Sequence, residues 1–252
     1  YYTLIYNSVR PHGGRIEPNV EGKGISFFPA TAEQLADGSL RFTHELRVAR
    51  VEALWKIDPQ YPTDIQVTMK TTIKVPGYFS LSTPSIAIVD TANLAWGMVP
   101  GNWYGTFVES NSELSTKYSM GLPATPMITK EKTTMSLCPL LSTKNGISFA
   151  VIPEPGTGAD PWEKDTSSRE ANTVALSVLN RHNQLSPVAY TPVLGGKGSQ
   201  LKEGEATVFS FRYSIQDADW YTVFRHAVEH IYRFPSLLDI QQQKIALSER
   251  LT

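Results

Sequence analysis

The richest candidate for ligand chemistry is an aromatic loop within residues 93–126. Its centre places Trp96, Trp103 and Tyr104 among three glycines and a proline, with Asn102 beside them. Flat aromatic faces suit the apolar C–H face of a sugar ring, while an amide or hydroxyl can bond the sugar hydroxyls. The same rings are also suited to packing at the end of a sheet or against a neighbouring domain. Both interpretations can be correct at once if a glycan site lies at a domain boundary.

A second loop, residues 153–170, is acidic and contains Trp162, which we add to the candidate glycan-binding residues. Its carboxylates are Glu154, Asp160, Glu163 and Asp165. Paired carboxylates can act as general acid and base in glycoside hydrolysis, and carboxylate oxygens can bind calcium. The spacing matches no calcium-loop pattern and marks no carboxyl group as buried, so a solvated loop is favoured. We therefore assign no catalytic residue here.

His226, Glu229 and His230 reproduce the H-x-x-E-H pattern of inverted zinc proteases. Helical spacing puts the two histidines on neighbouring surface positions, as a zinc ion would require. The apolar face of this helix lies elsewhere, however, and a third ligand would have to come from further helical structure. Surface histidines are therefore favoured, and we predict neither a bound metal nor a cofactor.

Two further reactive groups are predicted to be structural. His44 lies between Phe42 and Leu46 on the apolar face of a strand, which favours a core or sheet-edge histidine whose hydrogen bonds are satisfied. Cys138 lies among leucines, where a small buried thiol is favoured over a nucleophile. As the single cysteine of the chain, it can form no internal disulfide. The sequence contains no G-x-S-x-G, phosphate-loop or dinucleotide motif.

Composition narrows the class of protein. The 252 residues are 41% hydrophobic and 19% charged, which is typical of a globular domain rather than a disordered chain. The net charge of −1 gives no electrostatic reason to expect nucleic acid as a partner. No apolar run approaches the ~20 residues that cross a bilayer. The first residue, Tyr1, fits either removal of a signal peptide or a boundary within a longer chain, which leaves the compartment open with a secreted or periplasmic location favoured.

The elements that must position these residues are mainly β-strands. Alternating apolar and polar residues over 65–75 predict a half-buried antiparallel strand, and a similar pattern covers 40–48. Asn145-Gly146 between two apolar runs predicts a hairpin with a type I′ turn. No helical pattern alternates with the strands, which excludes a parallel βαβ design. We therefore predict an all-β fold, a large antiparallel two-sheet supersandwich, followed by a linker helix.

The linker helix is predicted from apolar residues that recur at three-and-four spacing over 219–234, with Asp217 as its N-cap. The apolar residues are Trp220, Val223, Phe224, Ala227, Val228 and Ile231. A second amphipathic stretch follows with no closing element. We therefore assign residues 1–216 to a sandwich domain, and residues 217–252 to a linker helix and the start of an absent helical domain.

One part of the sequence resembles a known family. The runs LKEGE (201–205), FSFRY (209–213) and DWY (219–221), followed by the helix, are similar to the exit from an N-terminal β-supersandwich of two-domain carbohydrate-active enzymes. In that family a galactose-mutarotase-like sandwich is joined by a linker helix to an (α/α)-barrel, the six-hairpin glycosidase toroid. The resemblance covers residues 201–234 closely and the strand-rich remainder loosely.

The resemblance implies that the parent protein is a glycoside hydrolase or a polysaccharide lyase. Its catalytic carboxylates would lie in the helical barrel, so the isolated chain is expected to be inactive on glycans. The sandwich would support the barrel and lend loops carrying Trp96, Asn102, Trp103, Tyr104 and Trp162 to a glycan cleft. Its partners would be the glycan and the C-terminal helical domain. Two alternatives remain: a stand-alone carbohydrate-binding or mutarotase-like module, and a structural surface sandwich.

Overall fold

The computed structural model describes residues 1–10, 23–99, 102–104, 118–119, 122–123, 127–128, 138–157, 174–182, 184–196 and 198–234. In chain order the strands are β1 (Tyr2–Asn7), β2 (Lys23–Phe27), β3 (Thr31–Gln34), β4 (Leu40–Glu45), β5 (Ala49–Ile57), β6 (Asp64–Ile73), β7 (Gly77–Ser82), β8 (Leu94–Val99), β9 (Asn102–Tyr104), β10 (Tyr118–Ser119), β11 (Leu122–Pro123), β12 (Met127–Ile128), β13 (Leu140–Thr143), β14 (Ile147–Pro153), β15 (Ala175–Leu179), β16 (Leu185–Thr191), β17 (Gln200–Leu201) and β18 (Ala206–Asp217). A 3₁₀ turn spans Thr91–Asn93, and α1 (Trp220–His226) continues as a π-helical segment (Ala227–Ile231). The two helical segments together, residues 220–231, are called the terminal helix below.

Most of these strands form two antiparallel sheets. The larger sheet has nine described strands in the order β3-β4-β5-β6-β18-β14-β13-β8-β9. The smaller sheet has seven, ordered β12-β15-β16-β7-β1-β2 with β17 added beside β7, and β10 pairs with β11 separately. One apolar core joins side chains of both sheets, including Leu4 and Phe79 from the smaller and Val67 and Phe211 from the larger. The predicted all-β, antiparallel two-sheet sandwich is therefore confirmed.

The larger sheet is apolar on both of its faces at β14. Side chains alternate between the two faces of a strand, so Phe149 and Val151 enter the core between the sheets, whereas Ala150 and Ile152 point to the outer face. All four are buried, and the two outward side chains are completely so. An outer face of this kind requires a covering element, because burial of its apolar area is what stabilises it.

The terminal helix provides that cover. Val223, Ala227 and Ile231 are buried in one cluster with Ala150 and Ile152, and Trp220 and Phe224 pack against it. The predicted apolar stripe is therefore confirmed except for Val228, which is half-buried outside this cluster. The molecule therefore has three layers at this point, the smaller sheet, the larger sheet and the helix. Among the described residues, no helix is long and apolar enough to span a membrane.

The ends of the helix differ from the prediction. Asp219, not Asp217, is the N-cap, because its carboxylate accepts from the backbone N–H of Thr222 at 2.8 Å. Asp217 is still the last residue of β18, so it lies too early in the chain to reach the first turn. The helix ends at Ile231 rather than 234, and Arg233 follows in the left-handed conformation (φ 54°) that commonly terminates a helix.

The strand predicted over 65–75 is confirmed as β6, whereas the pattern over 40–48 does not form one strand. β4 stops at Glu45, and the backbone N–H of Leu46 donates to the carbonyl of Ala49 at 2.8 Å. This bond closes a turn, and β5 returns antiparallel to β4. Residues 45–49 therefore form the turn that joins β4 to β5 and do not continue a single strand.

The hairpin at Asn145-Gly146 is confirmed, but its type I′ turn is wrong. Gly146 takes the left-handed conformation (φ 85°), whereas Asn145 does not, and a type I′ turn requires it at both positions. The N–H of Gly146 donates to the carbonyl of Thr143 at 3.0 Å. The connection is a three-residue loop that ends in a left-handed glycine, the next most common hairpin geometry.

Candidate functional site

The predicted glycan-binding residues are described only in part. Trp96 lies on β8, and the backbone of Asn102–Tyr104 forms β9, which pairs with β8 at the end of the larger sheet. The side chains of Asn102, Trp103 and Tyr104, and all of Trp162, lie outside the described part of the chain. Their assignment to a glycan wall therefore stays a prediction.

Trp96 contacts the terminal helix. Its ring stacks on that of Trp220 with a centroid separation of 4.9 Å and an interplanar angle of 15°. It is half-buried against the apolar cluster beneath the helix, and its Nε1 is buried with no hydrogen-bond partner among the described residues. One face of the ring is therefore used for packing the helix on the sheet, and a sugar would have to meet its opposite face or edge.

A buried ion network lies beside the helix on the outer face of the larger sheet. Arg212 of β18, only 8% exposed, donates from Nη1 to Asp58 Oδ2 at 2.9 Å and to Asp64 Oδ2 at 3.3 Å. Its Nε and Nη2 both donate to Glu154 Oε1, at 3.0 and 2.8 Å. One guanidinium thus donates to three carboxylates, and hydrogen bonds between charged groups are stronger than those between neutral groups.

The network holds its charges despite burial. Burial works to raise the pKa of Asp58, but two backbone N–H groups and Arg212 outweigh it, and the pKa is lowered overall. Burial likewise opposes the charge on Arg212, but Glu154 and Asp64 raise its pKa above the usual value. Asp58 is therefore an ionised hydrogen-bond acceptor at neutral pH and is not prepared to act as a general acid.

His226 joins the network to the terminal helix. Its Nε2 lies 2.8 Å from Asp64 Oδ2, and its ring packs edge-on against Tyr61 at a centroid distance of 4.9 Å. The side chain is 10% exposed, so the prediction that His226 is a surface residue is wrong. The helix lies flat on the sheet, so the side of the helix next to its apolar stripe is also buried. That side contacts Asp64 at the start of β6.

The remaining residues of the H-x-x-E-H pattern have other roles. His230 is exposed, as predicted, and Glu229 pairs with Arg225 one turn earlier at 2.9 Å. In the described ranges, no group of three His, Cys, Asp or Glu side chains is arranged to hold a metal ion.

A cleft of about 650 Å³ opens above the ion network. Its floor is a row of outward side chains in register across three strands, Lys56 of β5, Gln66 of β6 and Arg212 of β18. Its walls are residues 58–61, Glu154 with Pro155, and residues 230–233, which are the last two residues of the terminal helix and the two that follow it. Its volume lies within the range of small-molecule sites, about 300–1,000 Å³.

Sequence reasoning missed this cleft and underestimated Glu154. That residue is paired with Arg212 and only 29% exposed, so the solvated-loop interpretation is wrong for it. Asp160, Glu163 and Asp165 lie outside the described residues. One signal of the cleft was present in the sequence. Arg212 is a charged residue at an outward position of β18, and the neighbouring strand β14 is apolar on both faces.

Cys138 and His44 are both packed, as predicted. His44 stacks on Phe27 with a centroid distance of 4.6 Å at the packed side of its strand. Its Nδ1 is buried with no hydrogen-bond partner among the described residues, so the prediction that its hydrogen bonds are satisfied is wrong. Cys138 is completely buried and free, and burial raises the pKa of its thiol far above the usual value. A thiol that does not ionise is not a nucleophile.

Comparison with known proteins gives little that bears on this site. No protein-family model and no curated protein matches the sequence. One solved structure that matches is a provisionally assigned kojibiose phosphorylase from the human microbiome, with a TM-score of 0.35 and 10% sequence identity. The alignment covers 81% of this chain and 22% of that chain. Similarity at this level establishes neither a common fold nor a common activity.

Proposed function

We propose that this chain is the sandwich domain of a carbohydrate-active enzyme, most simply a glycoside hydrolase, and that it supports a helical domain. The observation that carries the proposal is the outer face of the larger sheet, where Ala150 and Ile152 are completely buried under the terminal helix. Antiparallel sheets with one wet face keep that face polar. An apolar outer face under a helix is therefore suited to carrying a helical layer.

The carbohydrate class is supported by the resemblance of residues 201–234 to the exit from a β-supersandwich. In the structure this run contains β17, β18 and the capped terminal helix, which follows β18 after two residues. The proposed division is a sandwich over residues 1–216 and a linker helix with the start of a helical domain over residues 217–252. The catalytic carboxylates of the parent would lie in that helical domain.

The aromatic loop would contribute one wall of the glycan site. The contact between Trp96 and Trp220 puts the β8–β9 hairpin next to the start of the helix. In the proposal, Trp103, Tyr104 and Trp162 stack on sugar rings, and Asn102 bonds a hydroxyl group.

Trp103→Ala in the full-length enzyme tests this role. Loss of a stacking ring should weaken substrate affinity by roughly 1–3 kcal/mol while the melting temperature stays nearly unchanged. Affinity is measured by calorimetric titration with the substrate, and stability by thermal unfolding. A lower melting temperature with unchanged affinity would show instead that the ring only packs the two domains together.

Trp55→Ala is the matched control. Trp55 stacks on Tyr213 and donates from Nε1 to the hydroxyl of Tyr2 at 2.8 Å, so it belongs to the core between the sheets. Its loss should lower the melting temperature and leave the affinity of the folded protein unchanged.

A further inference from the structure

We propose that the cleft beside the terminal helix binds one neutral sugar unit at a site separate from the aromatic loop. Only the ligand class rests on the proposed function, because the geometry of the cleft is independent of it.

The polar groups of the cleft are held rigidly before any ligand arrives. Arg212 fixes Asp58 and Glu154 with bonds of 2.8–3.0 Å. The backbone N–H groups of Gln60 and Tyr61 also bond Asp58 Oδ1, at 2.9 and 3.3 Å. A ligand that binds to fixed groups loses less free energy to the ordering of side chains.

The cleft retains hydrogen-bonding capacity of both kinds. Both guanidinium bonds to Glu154 end on Oε1, so among the described residues Oε2 is left to accept from a ligand. The amide of Gln60 uses one N–H on the hydroxyl of Tyr61, at 3.0 Å, which leaves its carbonyl oxygen and a second N–H. Lys56 at the floor, whose ammonium lies 3.8 Å from Asp37 Oδ2, carries three donors and adds to them. A sugar hydroxyl both donates and accepts, and it therefore matches this mixture.

The charge balance favours a neutral ligand. Arg212 bonds all three carboxylates that lie in or directly behind the cleft, Asp58, Asp64 and Glu154, and the ammonium of Lys56 lies 3.8 Å from Asp37 Oδ2, so these charges are already engaged in ion pairs. An anion would meet the free oxygen of Glu154, and a cation would meet the ammonium of Lys56. Neither sign is favoured by the cleft as a whole, whereas a polyhydroxylated neutral ring has no charge to desolvate.

An aromatic side chain completes the wall. Tyr61 is half-buried, and its ring is held edge-on by His226 and at 5.5 Å from His230. A fixed ring beside polar groups is the arrangement in which a pyranose can pack its C–H face while its hydroxyls are bonded. The row of fixed acceptors and donors, with a ring at its side, therefore fits one sugar unit.

The test titrates the 252-residue chain with the methyl glycosides of glucose, galactose, mannose and xylose, and with methyl glucuronide as the charged comparison. Binding is detected by saturation-transfer NMR, and Kd is obtained by titration. Glu154→Gln keeps a carbonyl oxygen but loses the charged acceptor, and Gln60→Ala removes an exposed amide with little risk to the fold. Glu52→Gln is the control, because Glu52 is a carboxylate of the same sheet, paired with Arg50 outside the cleft.

At least one neutral glycoside should bind, with its Kd raised about tenfold by Glu154→Gln and about threefold by Gln60→Ala, and unchanged by Glu52→Gln. If Glu154→Gln does not fold, Gln60→Ala alone decides. The proposal is overturned if no neutral glycoside binds, if only the glucuronide binds, or if both cleft variants bind as the native chain does. Binding that is lost in Trp103→Ala but kept in both cleft variants would overturn the cleft site and leave the aromatic wall intact. Cleft binding in a protein whose full-length form has no activity on glycans would instead overturn the proposed function alone.

Discussion

Replacing Arg212 with methionine is expected to lower the free energy of unfolding by about 3–5 kcal/mol, the usual cost of removing one partner of a buried ion network. Methionine has a similar length and fills much of the same space, so the loss is mainly electrostatic. It leaves Asp58, Asp64 and Glu154 facing one another, and Asp64 is completely buried. Urea unfolding monitored by circular dichroism at pH 7 measures the change.

The pH dependence separates this effect from a packing defect. Because the pKa of Asp58 is lowered in the folded protein, its contribution to native stability is present above its ordinary pKa of 3.8 and is lost as the pH falls through the lowered value. In the variant Asp58 loses the contribution of Arg212 that helps to lower its pKa, so the ionised carboxylate is less stabilised there, and this loss disappears once Asp58 is protonated. The difference in the free energy of unfolding between the native protein and Arg212→Met should therefore narrow as the pH falls below 4.

Arg41→Met is the matched control for Arg212→Met. Arg41 pairs with Glu33 at 3.3 Å on the same sheet, but both side chains are well exposed. An exposed pair of this kind contributes about 0–1 kcal/mol. Equal losses in the two variants, or a difference that does not change with pH, would contradict the account of the ion network.

Replacing Ile152 with alanine is expected to cost about 2–5 kcal/mol, because it opens a cavity between the larger sheet and the terminal helix. Ile152 is completely buried in the cluster that contains Val223, Ala227 and Ile231. The helix should exchange its amide protons faster in the variant, since its cover over the sheet is weakened. Denaturant unfolding and hydrogen exchange measure the two effects.

Ile57→Ala removes the same atoms from the end of β5, where the side chain is 64% exposed. Its cost should stay within about 0.5 kcal/mol, as for most surface substitutions. If Ile152→Ala costs no more than this control, the helix is not an integral third layer of the fold.

Local sequence patterns predict an element correctly where a single hydrophobic periodicity runs through the whole element. Alternation over ten residues was enough for β6, and the three-and-four spacing of Val223, Ala227 and Ile231 was enough for the helix face. Boundaries were harder, because Asp217 and Asp219 are chemically equivalent caps. The choice between them depends on where β18 ends. β18 continues as far as Asp217, which pairs with Ile147, so only Asp219 is left to cap the helix.

The cleft could not be predicted because its residues are brought together by strand order. Arg212 bonds Asp58, Asp64 and Glu154, which are 154, 148 and 58 residues away in sequence. The sheet order β5-β6-β18-β14 makes them neighbours, and no spacing in the sequence records that order. The same limit misplaced His226, since a helical wheel does not show which strand end its flank will meet.

We propose that carbohydrate contacts the helix-covered outer face of the larger sheet. Amide chemical-shift mapping of the isotope-labelled 252-residue chain, titrated with neutral oligosaccharides, tests it most directly. We expect chemical-shift changes concentrated on that face, at residues 58–61, Glu154 and 230–233 of the cleft, with a second group along β8 if the aromatic wall also binds. Shifts confined to the smaller sheet, or none at millimolar sugar, would contradict it.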